Sequence, residues 1–350
     1  MANAKLRVGI VGGGWPGQRH VEGFVASGAW EIAAVADLDP DRRRELARGT
    51  DARRLATADE LFVQDDLDAV VVALPTFLHH PMVMAALAAG KHVLCEKPPA
   101  LNAGETEAMA DAAIRRGLVL CFGLQRRALP SAAAAQAAIA QGRLGEIYHA
   151  RAVFTRAWGA PKGAGNWFRD PARAGGGALL DIGIHVLDLA WFLMGRPQPV
   201  SVLGVTHDRS PHTSPLESAA FGLLRFAGGQ SIQLEAAWIL PEGDDRQYVH
   251  LHGTEAGALV ERDRLTLIRV GDAGTEAFST PIVLGAPDAT VAPFRTQASH
   301  FAAAIRGTAP ALAPAADGVQ LMQMVDALYA SASERREVGL EKACEGGRWR

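Results

Sequence analysis

The sequence predicts an α/β protein with an N-terminal parallel sheet and a C-terminal α/β domain around an open, mostly antiparallel sheet. Up to about Gly123, short apolar runs alternate with helical patterns, as in a parallel sheet covered by helices on both faces. Later, Ser231–Trp238 alternates apolar with polar residues, which indicates a strand with one buried face. A chain of 350 residues fits two domains, which we place at 1–125 and 126–350.

The predicted elements follow from these patterns. First-domain strands are predicted at Leu6–Val11, Glu31–Asp37, Ala69–Leu74, His92–Cys95 and Val119–Gly123, with helices at Gly17–Ala26, Asp41–Ala47, Pro81–Ala89 and Ala103–Arg116. Second-domain strands are predicted at Ile147–Arg156, Ala219–Phe226, Ser231–Trp238, Tyr248–Gly253, Ala258–Arg262 and Leu265–Val270. Second-domain helices are predicted at Ser131–Gln141, Gly177–Met194, Arg295–Ile305 and Ala316–Arg335.

Composition argues against several classes of protein. A hydrophobic content of 49% and a net charge of -3 favour a globular core and give no sign of a nucleic-acid or membrane partner. The cysteines Cys95, Cys121 and Cys344 are too far apart for a disulfide framework or a zinc site, so we predict no metal. We find no signal segment and no apolar stretch of the ~18 residues that a membrane span needs. We therefore expect a soluble cytoplasmic protein.

A glycine-rich turn follows the first predicted strand. Gly12, Gly14 and Gly17 form a complete G-x-G-x-x-G motif, in which the glycines permit a tight turn, approach of a pyrophosphate and close helix packing. Asp37 ends the second strand twenty residues past Gly17, where a carboxylate would bind the adenosine ribose hydroxyls. The alternative is a glycine-rich turn without a ligand. We predict NAD as the cofactor, with NADP as the alternative because Arg42–Arg44 follow Asp37.

Three further residues have the chemistry of proton transfer. Asp181 and His185 are four residues apart in a predicted helix, so the carboxylate can orient the imidazole on the same face. Lys97 follows a strand end, and it is one of only five lysines among 35 basic residues. An amine can lose its proton whereas a guanidinium cannot. The alternatives are a core Asp–His pair and a surface lysine.

Two segments resemble the signatures of one oxidoreductase family. Glu96-Lys97-Pro98 and the Gly-rich stretch Gly175–His185 resemble the Gfo/Idh/MocA family, named for glucose-fructose oxidoreductase and inositol dehydrogenase, and Phe301–Leu340 resembles its C-terminal helices. The resemblance implies a Rossmann domain and catalytic roles for Lys97, Asp181 and His185. The cofactor contacts that we predict, from the glycine motif and from this resemblance, are Gly12, Gly14, Trp15, Gly17, Asp37, Pro75, His79, Glu96, Lys97, Trp167 and Arg169.

The implied reaction is reversible oxidation of a secondary alcohol on a sugar, a polyol or a related small polar substrate. The substrate would lie between the two domains, with His185 exchanging the hydroxyl proton and Lys97 bonding the same oxygen. We expect a homo-oligomer, a dimer or a tetramer, because the exposed face of an open sheet often packs against a partner. Two alternatives are an NAD-dependent glycosidase that oxidises its substrate transiently, and a non-catalytic regulator that binds a dinucleotide.

Overall fold

The computed structural model describes residues 4–159, 167–271, 274–281 and 286–340. The chain divides into two compact units, residues 1–128 with 285–319 and residues 129–284 with 320–350. The first segment of the first unit ends at residue 128, close to the predicted boundary at 125. The first unit also includes residues 285–319, which the sequence division assigns to the second domain. Cys344 lies outside the described residues.

The first unit contains a parallel sheet of six strands within the described residues, in the order β3-β2-β1-β4-β5-β6. The strands are β1 Leu6–Val11, β2 Trp30–Ala36, β3 Arg53–Leu55, β4 Ala69–Val72, β5 His92–Glu96 and β6 Leu120–Gly123. The helices between them are α1 Trp15–Ser27, α2 Pro40–Leu46, α3 Ala58–Phe62, α4 His79–Ala88 and α5 Ala103–Arg115. The predicted parallel fold is confirmed, and its strands end at one shared edge.

Two short elements of this unit lie outside the sequence prediction. Strand β3 has three residues, two of them exposed arginines, so no apolar run marks it. Helix α3 has five residues and is too short to show a helical period, although Thr57 and Glu60 form a capping box at its start. Polar edge strands and single-turn helices carry little hydrophobic pattern, which is why both were missed.

A late helix explains why residues 285–319 belong to the first unit. Helix α9, Ala286–Ile305, packs against α1. The indole N–H of Trp30 donates to the carbonyl of Ala298 at 2.9 Å, and the Trp30 ring stacks on Phe301 at a centroid distance of 5.4 Å. A Cβ at Gly23 would lie 2.5 Å from the Cβ of Phe294, so only glycine permits this approach of the two helices. No local sequence pattern indicates a partner so distant.

The second unit is built on an open, mostly antiparallel sheet, as the sequence predicts. Its nine strands in the described residues have the order β14-β13-β12-β11-β7-β10-β9-β8-β15, and the β10–β7 pair is parallel. The strands are β7 Ile147–Thr155, β8 Pro199–His207, β9 Ala219–Phe226, β10 Ser231–Ala237, β11 Arg246–Gly253, β12 Gly257–Val260, β13 Arg264–Gly271, β14 Gly274–Pro281 and β15 Val338–Gly339. The predicted strands β9 and β10 pair as an antiparallel hairpin, with Leu234 opposite Gly222, whereas β8, β14 and β15 were missed.

The helical stretch predicted at Gly177–Met194 is not one regular α-helix. The remaining helices are α6 Pro130–Ala140, α7 Pro171–Ala174, α8 Ile184–Leu193 and α10 Ala315–Glu334, and a π-helical turn, Leu179–Gly183, precedes α8. The stretch Pro171–Leu193 has the length and apolar composition of a membrane span, contrary to our sequence prediction, but 94% of its most apolar window is buried inside the protein. Its hydrophobicity is that of a core helix, since every residue of α8 is buried.

Candidate functional site

The glycine-rich turn between β1 and α1 has the geometry that its motif predicts. Gly12 has a φ of +102°, and a Cβ at Gly12 would lie 2.3 Å from the carbonyl oxygen of Ala73. A Cβ at Gly17 would lie 1.9 Å from the carbonyl oxygen of Gly12. Gly14 differs, because a Cβ there would meet only Pro16, at 3.7 Å. Gly12 and Gly17 therefore make the turn tight, whereas Gly14 leaves its outer side open to a ligand.

The start of α1 is suited to an anion. Gly14 is the N-cap residue and, among the described residues, no side chain caps the helix there. The first N–H groups of such a helix and its dipole favour phosphate. Trp15, the first residue of α1, is 58% exposed and lies edge-on to Phe294 at 6.0 Å. The open Gly14 face and the uncapped helix start fit the pyrophosphate of a dinucleotide.

Asp37 is joined directly to this turn. Its Oδ2 accepts the backbone N–H of Gly13 at 2.6 Å, and its Oδ1 accepts that of Asp39 at 2.8 Å. The three arginines that follow have partners within this region: Arg42 lies 3.6 Å from the Asp39 carboxylate, Arg43 donates to the carbonyl of Asp37, and Arg44 pairs with Asp41. The arrangement fits a carboxylate beside the ribose better than an arginine beside a 2′-phosphate.

Lys97 follows β5 at the same sheet edge and is partly exposed. Its backbone N–H donates to Oε2 of Glu96 at 3.1 Å. Glu96 is only 4% exposed, and its Oε1 lies 2.7 Å from Nε2 of the buried His20 on α1. The structure therefore places Lys97 where it can meet a ligand and Glu96 where it binds protein atoms.

His79 lies inside the protein. Its Nδ1 is 2.8 Å from the carbonyl oxygen of Pro98, its Nε2 is 2.7 Å from that of Leu74, and the residue is 1% exposed. Burial lowers the pKa of His79, while the hydrogen bonds to the two carbonyls raise it. Pro75, next to Leu74, is partly exposed. His79 thus links the segments that follow β4 and β5, and Pro75 is the better placed of the two to touch a cofactor.

In the second unit, Asp181 and His185 lie on either side of a change in helix type. Asp181 is in the π-helical turn and His185 is in α8, so they do not have the placement of two residues on one regular α-helix. Oδ2 of Asp181 accepts the indole N–H of Trp238 at 2.9 Å. His185 is 6% exposed and lies 6.4 Å from the ring of Phe154. π-Helical turns occur frequently at functional sites.

Glu217 binds the backbone at the start of this helical segment. Its carboxylate accepts the backbone N–H of Gly177 at 2.8 Å, that of Leu179 at 3.0 Å and the hydroxyl of Tyr329 at 2.8 Å. Cβ atoms at Gly176 and Gly177 would lie 2.1 Å from Oη of Tyr329 and 2.2 Å from the carbonyl oxygen of Glu217. Burial raises the pKa of Glu217. The glycines of the second signature are thus needed for packing against Glu217 and Tyr329.

Trp167 and Arg169 lie in a 3₁₀ turn, Trp167–Arg169, just after residues that the structure does not describe. The Trp167 ring stacks on Phe168 at 3.7 Å, and Arg169 donates to the carbonyl of His212. Their predicted roles at the nicotinamide stay predictions. Within the described part of the chain, no group of His, Cys, Asp and Glu residues has the geometry of a metal site.

Four residues that support candidate site residues, each within its own unit, were missed in the sequence. They are His20, Glu217, Trp238 and Tyr329. Each lies dozens of residues from its partner in the chain, and no local motif marks any of them.

Comparison with known proteins supports the description of both units. A family model described as an oxidoreductase family with an NAD-binding Rossmann fold matches residues 6–124, and a Gfo/Idh/MocA C-terminal domain model matches residues 132–259. The 1,5-anhydro-D-fructose reductase of Ensifer adhaerens is 30% identical, with 89% of this chain and 92% of the relative covered. The inositol 2-dehydrogenase of Rhizobium meliloti (strain 1021) is 27% identical, with 96% and 99% covered.

A solved structure shows the same fold. Levoglucosan dehydrogenase in complex with NADH and levoglucosan has a TM-score of 0.86 and 25% identity, with 97% of this chain and 100% of that chain covered. The chain belongs to the Gfo/Idh/MocA family of NAD-binding oxidoreductases.

Proposed function

We propose that this protein is an NAD-dependent dehydrogenase that oxidises a secondary alcohol of a sugar, a polyol or a related small polar molecule, reversibly and in the cytoplasm. The observation that carries the proposal is the partly exposed Lys97 at the sheet edge where the glycine-rich turn and Asp37 also lie. The substrate class is supported by the names of the relatives, which act on an anhydro-sugar, an inositol and levoglucosan.

The residues of the first unit fit NAD. Gly14 and the uncapped start of α1 would receive the pyrophosphate, and Asp37 would accept the ribose hydroxyls. Bound NAD supplies the acceptor for the hydride that leaves the carbinol carbon. Pro75 and Trp15, both at least partly exposed, are the further contacts that we propose from this unit.

We assign proton transfer to side chains of the protein. We propose that Lys97 and His185 both act on the substrate hydroxyl, as family membership implies. Lys97 donates a hydrogen bond to the oxygen as it gains negative charge, and His185 takes the hydroxyl proton. Histidine suits this step because its ordinary pKa lies near neutral pH. We assign to Asp181, whose carboxylate accepts the indole N–H of Trp238, the stabilisation of the protonated imidazole, as family membership implies.

We also propose that the protein is a homo-oligomer, a dimer or a tetramer. The open face of the second sheet carries exposed apolar side chains on adjacent strands: Leu203 is 47%, Val205 48% and Leu223 36% exposed, and Leu203 pairs with Leu223. Contiguous apolar surface of this kind is favourable to bury against a second copy.

The first prediction concerns cofactor choice. Asp37 disfavours NADP because a carboxylate about 4 Å from a 2′-phosphate costs up to ~4 kcal/mol at an effective dielectric constant of about 20. NAD should bind up to about a thousandfold more tightly than NADP, and Asp37→Asn should reduce that ratio while keeping an acceptor for the N–H of Gly13. Dissociation constants for both dinucleotides measure this. Asp65→Asn, at an exposed position of the same unit, is the control. Equal or tighter NADP binding by the unmodified protein would exclude the assignment.

The second prediction concerns the helical pair. His185→Ala should lower turnover by about 10²–10⁴-fold, which is the usual effect of removing a general acid–base group. NAD affinity should hardly change, because the glycine-rich turn is in the other unit. Asp181→Asn should leave the fold intact and shift the pH–rate profile. Turnover is measured as NADH formation over a panel of sugars and polyols, with the exposed His207→Ala as control. If the folded His185→Ala variant stays fully active, Asp181 and His185 have only a structural role in the core.

The third prediction separates charge from proton transfer at Lys97. Lys97→Arg keeps a positive charge and hydrogen-bond donors, but it removes an amine that can release its proton. It also adds bulk at the reacting centre, where small misplacements cost on the order of 10²-fold in rate. Lys97→Arg should therefore be nearly as inactive as Lys97→Met, while both bind NAD. Near-wild-type turnover of Lys97→Arg would show that a fixed charge is sufficient and that His185 alone exchanges the proton.

A further inference from the structure

We propose that two buried histidines, His20 and His79, hold Lys97 in its working position by binding the residues on either side of it. We call this pair the histidine clamp. His20 binds Glu96, which precedes Lys97, and His79 binds Pro98, which follows it. The proposal rests on the proposed function only in that Lys97 is taken as the residue that meets the substrate. Both histidines are positioning residues in this proposal.

The first arm of the clamp runs from α1 to the end of β5. Nε2 of His20 is 2.7 Å from Oε1 of Glu96, and the other carboxylate oxygen accepts the backbone N–H of Lys97 at 3.1 Å. His20 is 0% and Glu96 4% exposed, so water is poorly placed to replace either bond. Leaving a buried polar group without its partner is strongly unfavourable, because water cannot replace the lost bond. The position of the Lys97 backbone is therefore tied to the His20 ring.

The second arm acts from the opposite side. Nδ1 of His79 is 2.8 Å from the carbonyl oxygen of Pro98, and Nε2 is 2.7 Å from that of Leu74. Both oxygens are acceptors, so a neutral ring can donate to one of them at a time and a protonated ring to both. The segment after β5 is thereby fastened to the segment after β4, which carries Pro75.

The surroundings fix the first arm further. The ring of His20 lies edge-on to Phe294 at 5.0 Å and to Phe24 at 6.0 Å, which limits its rotation. A Cβ at Gly123, on the neighbouring strand β6, would lie 2.8 Å from Oε1 of Glu96. The carboxylate thus fills space that only a glycine leaves, and it has little freedom to move away from His20.

The clamp also connects two functions of the first unit. His20 lies on α1, whose first turn follows the glycine-rich turn that receives the dinucleotide. Through Glu96, this helix is bonded to the residue that acts on the substrate. The structure thereby provides a direct covalent and hydrogen-bonded route from the cofactor turn to Lys97.

The test uses glutamine and asparagine, whose side-chain amides lie at different distances from the backbone. Glutamine places its amide nitrogen near the position of histidine Nε2, whereas asparagine places its amide nitrogen near Nδ1. His20 acts through Nε2, and His79 reaches Pro98 through Nδ1. We expect His20→Gln to keep most of the wild-type kcat and His20→Asn to lose about 10–10²-fold, as misplaced reacting groups do. At residue 79 the order should be reversed, with His79→Asn more active than His79→Gln.

The measurements are kcat, KM, the NAD dissociation constant and the thermal midpoint of each variant. The clamp predicts losses in kcat, little change in NAD affinity, and opposite amide preferences at the two positions, which a general loss of packing would not produce. The partly exposed His80, with the same two substitutions, is the control. The same preference at both positions, or wild-type kcat in all four variants, would overturn the proposal.

A second comparison separates this proposal from the function assigned to Lys97. If the clamp acts through Lys97, the loss caused by His20→Asn should largely disappear in a Lys97→Met background, since coupled residues are not additive. Full additivity of the two losses would contradict the clamp. A fully active Lys97→Met would contradict the proposed function itself.

Discussion

The close approach of α1 to the edge of the parallel sheet is the constraint on which the rest of the first unit depends. A Cβ at Gly17 would lie 1.9 Å from the carbonyl oxygen of Gly12, so only glycine lets the helix begin so near the strand ends. That placement aims the N–H groups of the helix at the turn, where phosphate is favoured. It also brings His20 within 2.7 Å of Glu96 and thereby fixes the segment that carries Lys97. The glycine-rich turn and the segment that carries Lys97 are therefore both held by one helix.

In the second unit, buried hydrogen bonds fix the start of the central helix. The start of its central helix is held by a buried carboxylate, Glu217, which accepts backbone N–H groups from Gly177 and Leu179. Trp238 follows directly after β10, and its indole N–H fixes Asp181 by donating to the carboxylate. Buried polar groups with complete hydrogen bonding rigidify their surroundings. Asp181 and His185 are consequently presented by a helix whose first turn is anchored to the sheet.

The candidate catalytic and cofactor-binding residues could be proposed from the sequence because their types and spacing are local. The G-x-G-x-x-G motif, Asp37, Lys97, Asp181 and His185 lie next to the strand and helix ends that position them. Their supports could not be predicted, because His20 binds a residue 76 positions away and Trp238 one 57 positions away. The same reason explains the return of α9 to the first unit. The π-helical turn at Leu179–Gly183 was missed because apolar periodicity does not distinguish it from an α-helix.

Hydride transfer to NAD can be tested by following one labelled hydrogen atom. A sugar or polyol that the purified protein oxidises is prepared with deuterium on the carbinol carbon and incubated with NAD. We expect net reduced cofactor with deuterium at nicotinamide C4, in an amount equal to the ketone formed. Ketone formation without deuterium in the cofactor would contradict hydride transfer. A hydrolysed product with no net reduced cofactor would instead show a glycosidase that oxidises its substrate only transiently.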